Sequence, residues 1–137
     1  MEDGASKVRV ITGEFQTTRA VIETKIPILY LHINFQAVID SVQPANSDHN
    51  CMAYIIDGHG LFGEEKETQS AASEEQLALF ARNGDEVCLS SGKDTPLDLL
   101  LLAGRPFNEE IARYGPFVMN THEEIFEAFQ DFVKALI

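Results

Sequence analysis

"PLDLLLLAGRPF", residues 96–107, is the stretch that decides the fold. It is almost continuously apolar between Leu97 and Ala103, and a proline lies near each end. An apolar run of this length predicts a strand that is buried on both faces, or one that lies in the middle of a sheet. We therefore expect the chain to build a β-sheet around this segment.

Residues 26–35, "IPILYLHINF", alternate between apolar and polar positions as a half-buried strand does. One face of this predicted strand carries the apolar side chains of Leu29, Leu31, Ile33 and Phe35, and the other carries Tyr30, His32 and Asn34. This alternation predicts a second strand of the same kind of sheet.

Shorter strand patterns occur at 7–15, 51–63, 76–81 and 86–91. The turn dipeptides Asp57-Gly58 and Asn83-Gly84 separate several of them, and the polar run 64–76 is typical of an exposed hairpin loop. Short strands that recur about every 8–12 residues between such turns predict an all-β sandwich or barrel.

The segment after Phe107 has a different pattern. Residues 108–114, "NEEIARY", match one or two helical turns with Asn108 as N-cap and acids in the first turn. Gly115-Pro116 is a combination that ends helices. We expect a short helix here, followed by an extended bridge through residues 117–119.

A longer helix is predicted from His122 to the C-terminus. Thr121 and Glu124 match a capping box, in which the Thr hydroxyl accepts from the N3 amide and the Glu carboxylate reaches back to the Thr amide. The helix has an apolar stripe formed by Ile125, Phe129, Phe132 and Leu136, widened by Phe126 and Val133. We expect this stripe to be buried against the outside of a barrel or against a neighbouring domain.

Composition limits the function classes. The chain has 137 residues, of which 45% are hydrophobic, enough for one compact domain with a sizeable core. Its formal net charge is −12, from 22 acidic and 10 basic residues, and the bases are scattered. Direct binding to nucleic acid or to an anionic membrane needs clustered Lys and Arg, so we expect neither.

The two cysteines, Cys51 and Cys88, have no Cys-x-x-Cys spacing and are expected to be free thiols. The first ten residues lack the basic and apolar regions of a secretory signal, and no apolar run approaches the ~20 residues of a membrane span. We therefore expect a cytoplasmic protein, with a nuclear location left open.

Three stretches together resemble the pirin family of the cupin superfamily. The most specific is "GRPFNEEIARYGPFVMNTHEEI" (104–125), and "HNCMAYIIDGHGLFG" (49–63) and "FARNGDEVCLSSG" (80–92) resemble the two half-motifs of a degenerate cupin barrel. The resemblance implies a cupin-type double-stranded β-helix, or jelly-roll barrel, with a C-terminal α-helix. It implies one domain over 1–137, with 108–137 as its helical segment.

Pirins contain two such barrels in tandem, and this chain resembles the C-terminal one alone. The N-terminal barrel of the family binds one iron-type metal through a His-x-His pair and a His-x-Glu pair. Family members are described as quercetin 2,3-dioxygenases and as nuclear transcription cofactors. The sequence leaves open whether this is a single-barrel protein or half of a two-barrel one.

The family's metal-binding positions lack ligands in this chain. With residues 54–58 as the anchor, the His-x-His positions fall on Pro44 and Asn46, and a nearby Glu position falls on Asn50. The second motif has no histidine, because none occurs between His59 and His122. Metal-dependent oxygen chemistry needs converging imidazoles and a carboxylate, so we predict no metal, no cofactor and no catalytic residue.

Two other constellations were weighed. His32, His49 and Cys51 form a conceivable metal cluster, but His49 follows a turn signal and isolated histidines seldom meet a ligand spacing. His59 lies between two glycines and His122 in the first turn of a helix. The paired acids Glu109-Glu110 and Glu123-Glu124 each begin a predicted helix, where the helix dipole favours them over acid–base chemistry.

Three functions remain. The first is a non-catalytic structural or protein-interaction module, whose partner is another protein or a second cupin barrel, with a homodimer as a further outcome. The second is a metal-dependent dioxygenase of the quercetinase type. The third is a metal-free cupin that binds a small ligand, with Tyr30, His32 and Tyr54 as candidate cavity residues.

Overall fold

The computed structural model describes residues 4–65, 67–92 and 95–137. Within these residues the strands are β1 (Ser6–Thr12), β2 (Glu14–Phe15), β3 (Thr18–Arg19), β4 (Ile28–Phe35), β5 (Asp40–Pro44), β6 (Asn50–Asp57), β7 (His59–Phe62), β8 (Ser70–Ser73), β9 (Leu77–Leu79), β10 (Glu86–Ser91), β11 (Leu97–Gly104), β12 (Ala112–Tyr114) and β13 (Phe117–Met119). The helix α1 runs from His122 to Ala135. The chain divides into two compact units, Met1–Pro106 and Phe107–Ile137, and the expected single domain over 1–137 stays a prediction.

A five-stranded antiparallel sheet has the order β1-β4-β11-β6-β9. β11 lies in its middle, as the apolar run at 96–107 predicts. Its odd-numbered residues are fully buried, whereas Leu100 and Leu102 on the opposite face are only half-buried. The strand is therefore central in its sheet but is not buried on both faces.

A four-stranded antiparallel sheet, β5-β10-β7-β8, supplies the second layer of the barrel. Apolar side chains from both sheets form one core cluster, whose largest fully buried members are Phe35, Leu31, Ile33, Ile55, Leu89, Leu97, Leu99 and Leu101. The predicted alternation in β4 is confirmed, because Leu31, Ile33 and Phe35 are buried while Tyr30, His32 and Asn34 are not. The all-β class predicted from the sequence is therefore confirmed.

The turn at Asp57-Gly58 requires glycine. Gly58 has φ +87°, and a Cβ at this position would lie 2.0 Å from the carbonyl oxygen of Pro96. Only a residue without a side chain lets β6 turn into β7 so close to the chain that enters β11.

The C-terminal unit differs from the expected helical segment 108–137, because only α1 is helical. Residues 112–114 form β12 instead of a helix, and they pair with β13 across the Gly115-Pro116 turn. Asn108 has φ +54°, whereas an N-cap residue has extended backbone, so it starts no helix. Gly115, with φ +55°, closes a hairpin rather than ending a helix. A seven-residue helix is marginal in isolation, and the hairpin ladder replaces it.

The first half of the predicted capping box is confirmed at the start of α1, whereas the contact of the Glu124 carboxylate is with the Thr121 hydroxyl and not with its amide. The Thr121 hydroxyl oxygen accepts from the amide of Glu124 at 3.2 Å, and the same hydroxyl donates to the Glu124 carboxylate at 3.1 Å. The side chain of Asn120 donates to Glu109 Oε2 at 2.8 Å and to the Glu110 carbonyl at 2.9 Å, so the residues before β12 are tied to the start of the helix.

Candidate functional site

Two cavities lie in the unit Met1–Pro106. The first has a volume of about 840 Å³, and its polar lining includes Arg19, Lys25, Gln43, Asn46 and His49. The second, of about 1150 Å³, lies beside it and shares Asn46 and His49 with it. A barrel with openings of this size can admit a small molecule, so the chemistry of the lining decides what each cavity can bind.

The positions that correspond to the family's metal ligands do not fit a metal ion. Pro44 and Asn46 line the first cavity, but Pro44 has no donor side chain and Asn46 Oδ1 accepts from the Asp48 amide at 2.9 Å. Asn50 Oδ1 accepts from Nε of Arg82 at 3.0 Å. The two asparagine oxygens are therefore used in a turn and in a contact between β6 and the segment after β9.

His32 and Cys51 lie on opposite faces of the five-stranded sheet. His32 is on the outer face, where its Nε2 lies 2.6 Å from Oδ1 of Asp98, while Cys51 is buried on the core side. The conceivable cluster of His32, His49 and Cys51 is therefore not brought together. Within residues 4–65, 67–92 and 95–137, no group of three or more His, Cys, Asp or Glu side chains is arranged to hold a metal ion.

Neither thiol is activated. Burial raises the pKa of Cys51 to about 11, against a hydrogen bond from the Met52 backbone that lowers it. The pKa of Cys88 is also raised, first by burial and then by the negative charges of Glu64 and Glu86. Since the thiolate is the nucleophile and the metal ligand, the raised pKa values disfavour reaction and metal binding at both side chains near pH 7.

His59 was expected in a tight turn between two glycines, but it is the first residue of β7. Its Nε2 lies 3.4 Å from the Ser73 hydroxyl on β8, and its Nδ1 lies 3.2 Å from the Gly58 carbonyl. His59 and Ser73 are direct partners in the β7–β8 strand pair. A serine–histidine contact of this length at an exposed position is a cross-strand pair rather than an activated nucleophile.

The candidate cavity residues Tyr30, His32 and Tyr54, for whose tyrosines core packing is the alternative role, lie outside both cavities. All three are on the outer face of the five-stranded sheet, and none lines either of the two cavities. Alternation alone cannot tell the inner face of a barrel from the outer one, because both faces of these strands carry large apolar side chains.

The acidic pairs are structural. His122 and Glu123 are the first residues of α1, and Glu124 takes part in the capping contacts with Thr121. Glu109 accepts from Asn120 and precedes β12, so the expectation that Glu109-Glu110 begins a helix is wrong. These carboxylates stabilise the hairpin–helix unit and do not converge on a common point.

One face of α1 carries large apolar side chains that stay exposed. Ile125 is buried, and the ring of Phe132 packs edge-to-face on Phe117 of β13 with centroids 5.9 Å apart. A second line of side chains, which we call the helical stripe, stays exposed and consists of Phe126 (63%), Phe129 (46%), Val133 (40%) and Leu136 (71%). This chain by itself leaves the stripe partly exposed, and burial of the stripe against a neighbouring domain stays a prediction.

Comparison with known proteins agrees with this architecture. The Pirin C-terminal cupin domain family matches residues 30–136. A pirin-like protein of Arabidopsis thaliana is 38% identical over 96% of this chain and 43% of its own length, and pirin of Rattus norvegicus is 33% identical over 98% of this chain and 45% of its own length. A crystal structure of quercetin 2,3-dioxygenase from Acinetobacter baumannii superposes with a TM-score of 0.80 at 28% identity, covering 97% of this chain and 44% of that one.

The matches also show how much of each relative this chain covers. This chain spans less than half the length of the curated relatives that it matches. Among the residues described, no helix has the length and apolar character needed to cross a membrane. From the family match, the relatives and the shared fold, the chain belongs to the pirin family and corresponds to its C-terminal cupin domain.

Proposed function

We propose that this chain is a non-catalytic pirin-type cupin module whose role is to pack on another protein domain, a second cupin barrel in the first instance. The observation that carries the proposal is the exposed helical stripe, in which two phenylalanines and a leucine remain 46–71% exposed. An apolar line of this kind on an otherwise acidic protein is typical of an interaction surface.

The size of the relatives supports the choice of partner. Because the chain spans only 43–45% of the first relatives described above, those proteins carry further sequence of about the same length. A folded domain of that size offers a surface large enough to cover the helical stripe. Removing each exposed phenylalanine from water contributes about 1.5–3 kcal/mol, so the stripe is strong enough to direct association.

The side chains at the family's ligand positions support the proposal that this module is non-catalytic. The positions of the family's ligands are Pro44, Asn46 and Asn50, and the two asparagine side chains have hydrogen-bond partners within the protein. The two cysteines are free, which fits a reducing, cytoplasmic setting.

A binding experiment tests this function. The purified chain is mixed with the segment of the Arabidopsis pirin-like relative that lies outside the match, and the heat of association is measured by titration calorimetry. We expect a specific complex that F126S and F129S each weaken by about tenfold or more, as for central apolar contacts. The matched control is E127S on the polar side of the same helix, which should leave the affinity unchanged.

Absence of binding to that segment, or equal weakening by E127S and F129S, would contradict the proposal. Circular dichroism of each variant shows whether the fold is intact, so that a loss of binding is not confused with unfolding.

A second candidate is a quercetin 2,3-dioxygenase, which one observation favours. The Acinetobacter baumannii structure described as that enzyme shares the fold at 28% identity. That activity in this family rests on a metal, and the described residues of this chain do not fit one. The candidate therefore needs metal-dependent turnover of quercetin by the purified chain, and the first proposal predicts none.

A further inference from the structure

Two neighbouring cross-strand rows on the outer face of the five-stranded sheet are mostly apolar. One row contains Leu79, Met52, Leu102 and Tyr30, each paired with the next across neighbouring strands. The adjacent row contains Leu77, Tyr54, Leu100, His32 and Arg9. The outer face of an antiparallel sheet is normally polar when water covers it, so these rows are unusual.

The protein leaves this face partly uncovered. Leu77 is 50% exposed, Leu79 71%, Tyr54 38% and Ile56 39%, and Leu100 and Leu102 are half-buried. The directly neighbouring inner positions Ala53, Leu101 and Leu31 are completely buried. β4, β6 and β11 therefore have one face packed in the core and a second, largely apolar face that stays partly exposed.

The charges on this face are few and are separated between its edges. The two rows contain no carboxylate, although the whole chain has a net charge of −12. Asp98 lies beside them and is bonded to His32. Arg9 is exposed at the β1 edge, while Glu74 and Glu75 are exposed at the β9 edge. Glu75 is held there because its amide donates to the carbonyl of Ile55 on β6 at 2.9 Å.

We propose that two copies of this chain pack face to face through these outer sheet faces. A two-fold axis that lies between the sheets and parallel to the strands places β1 of one copy over β9 of the other. Arg9 shares a cross-strand row with Leu77, so Arg9 of each copy then lies over the β9 edge of the second copy, two residues from Glu75, twice in one dimer. Facing sheets lie about 10 Å apart, a distance that an Arg and a Glu side chain span together.

The charge pattern favours a second copy over an unrelated partner. Two molecules that each carry twelve net negative charges repel one another unless they meet through a surface with few acids. This face is such a surface, and its basic and acidic edges are exchanged by the proposed axis. A two-fold interface of this kind is closed, because each patch meets its own copy.

The proposal is independent of the helical stripe and of the binding partner proposed above. All the residues that it uses lie in the unit Met1–Pro106, whereas the stripe lies in Phe107–Ile137. Variants of the two surfaces can therefore be compared in one experiment.

Sedimentation equilibrium of the purified chain over a range of concentrations is the test. We expect a monomer–dimer equilibrium in the unmodified protein. R9E and E75R should each weaken the dimer by about tenfold, because each places like charges opposite one another. The double variant R9E/E75R should restore the dimer, since it exchanges the two charges. The control E86R on β10 makes the same change in net charge as E75R and should leave the equilibrium unchanged.

Three results would overturn the proposal. One is a monomer at every concentration. Another is a dimer that R9E and E75R do not weaken, or weaken no more than E86R. The third is a dimer that F129S abolishes, which would assign self-association to the helical stripe instead. Leu79→Lys adds a separate readout, because a fully folded variant with this exposed substitution should be monomeric.

Discussion

Nε2 of His32 on β4 lies 2.6 Å from Oδ1 of Asp98 on β11, and this contact lies on the outer face of the sheet. It directs the imidazole away from the barrel interior, where Cys51 is buried. The contact holds His32 outside the barrel interior and gives Asp98 a partner beside two rows that are mostly apolar. His32 is a structural residue of that face.

A double-mutant cycle on His32 and Asp98 measures this contact. We expect H32A and D98A to be coupled by about 1 kcal/mol in the free energy of unfolding, because the pair is charge-assisted and half-buried. The exposed pair Lys134–Asp131 on α1, with its atoms 3.7 Å apart, is the control and should show at most about 0.5 kcal/mol. Additive effects of H32A and D98A would show that the contact between His32 and Asp98 does not stabilise the fold.

Gly58→Ala tests the turn between β6 and β7. The substitution adds a Cβ 2.0 Å from the Pro96 carbonyl at a residue with φ +87°, so the backbone must shift. We expect a loss of at least about 1–3 kcal/mol in chemical denaturation. The matched control is Gly84→Ala in the other predicted turn, where a Cβ meets nothing within 4 Å. Equal losses for the two variants would show that the close approach at Pro96 does not limit the fold.

Cys51 predicts a dependence of stability on alkaline pH. Its pKa is raised by burial from an ordinary value of 9.0 to about 11 in the folded protein. The unfolded chain therefore loses the thiol proton first as pH rises. The stabilisation is fully present below pH 9 and is lost as pH rises through 11.

The measurement is the unfolding free energy at pH 8 and above for the native chain and for C51A. We expect the native chain to lose about 2–3 kcal/mol more than C51A over this range, which is the size of a two-unit shift. A parallel loss in both proteins would show that Cys51 is not the group responsible. Labelling by iodoacetamide near pH 7 should be slow at Cys51 until the protein is unfolded.

The sequence predicts the strands that are long and strongly apolar or that alternate between apolar and polar residues. β11 and β4 are long and strongly apolar, so their existence and the central place of β11 follow from residues 96–107 and 26–35. β8, Ser70–Ser73, was predicted as loop because its small side chains carry no alternation. Its pairing with β7 depends on a partner that local sequence does not show.

The C-terminal unit shows how a local signal is overridden. Asn108 followed by two acids matches a helix start, and Gly115-Pro116 matches a helix end. Gly115 instead lets Tyr114 pair with Phe117, and the hairpin replaces the helix. At the site, the sequence predicts that Pro44, Asn46 and Asn50 hold no metal, and this stays a prediction. Tertiary packing decides which face of each strand stays uncovered. Periodicity alone therefore does not predict the apolar outer face.

The metal content of the purified chain tests whether this cupin domain acts without a metal. The purified chain is incubated with ferrous iron under reducing, oxygen-free conditions, desalted, and analysed for iron, nickel and copper by elemental analysis. The account predicts far less than one metal ion per chain, with no change in H32A or in a His49→Ala variant. Metal bound near one per chain, and lost in His49→Ala or C51A, would contradict the claim that this cupin domain acts without a metal.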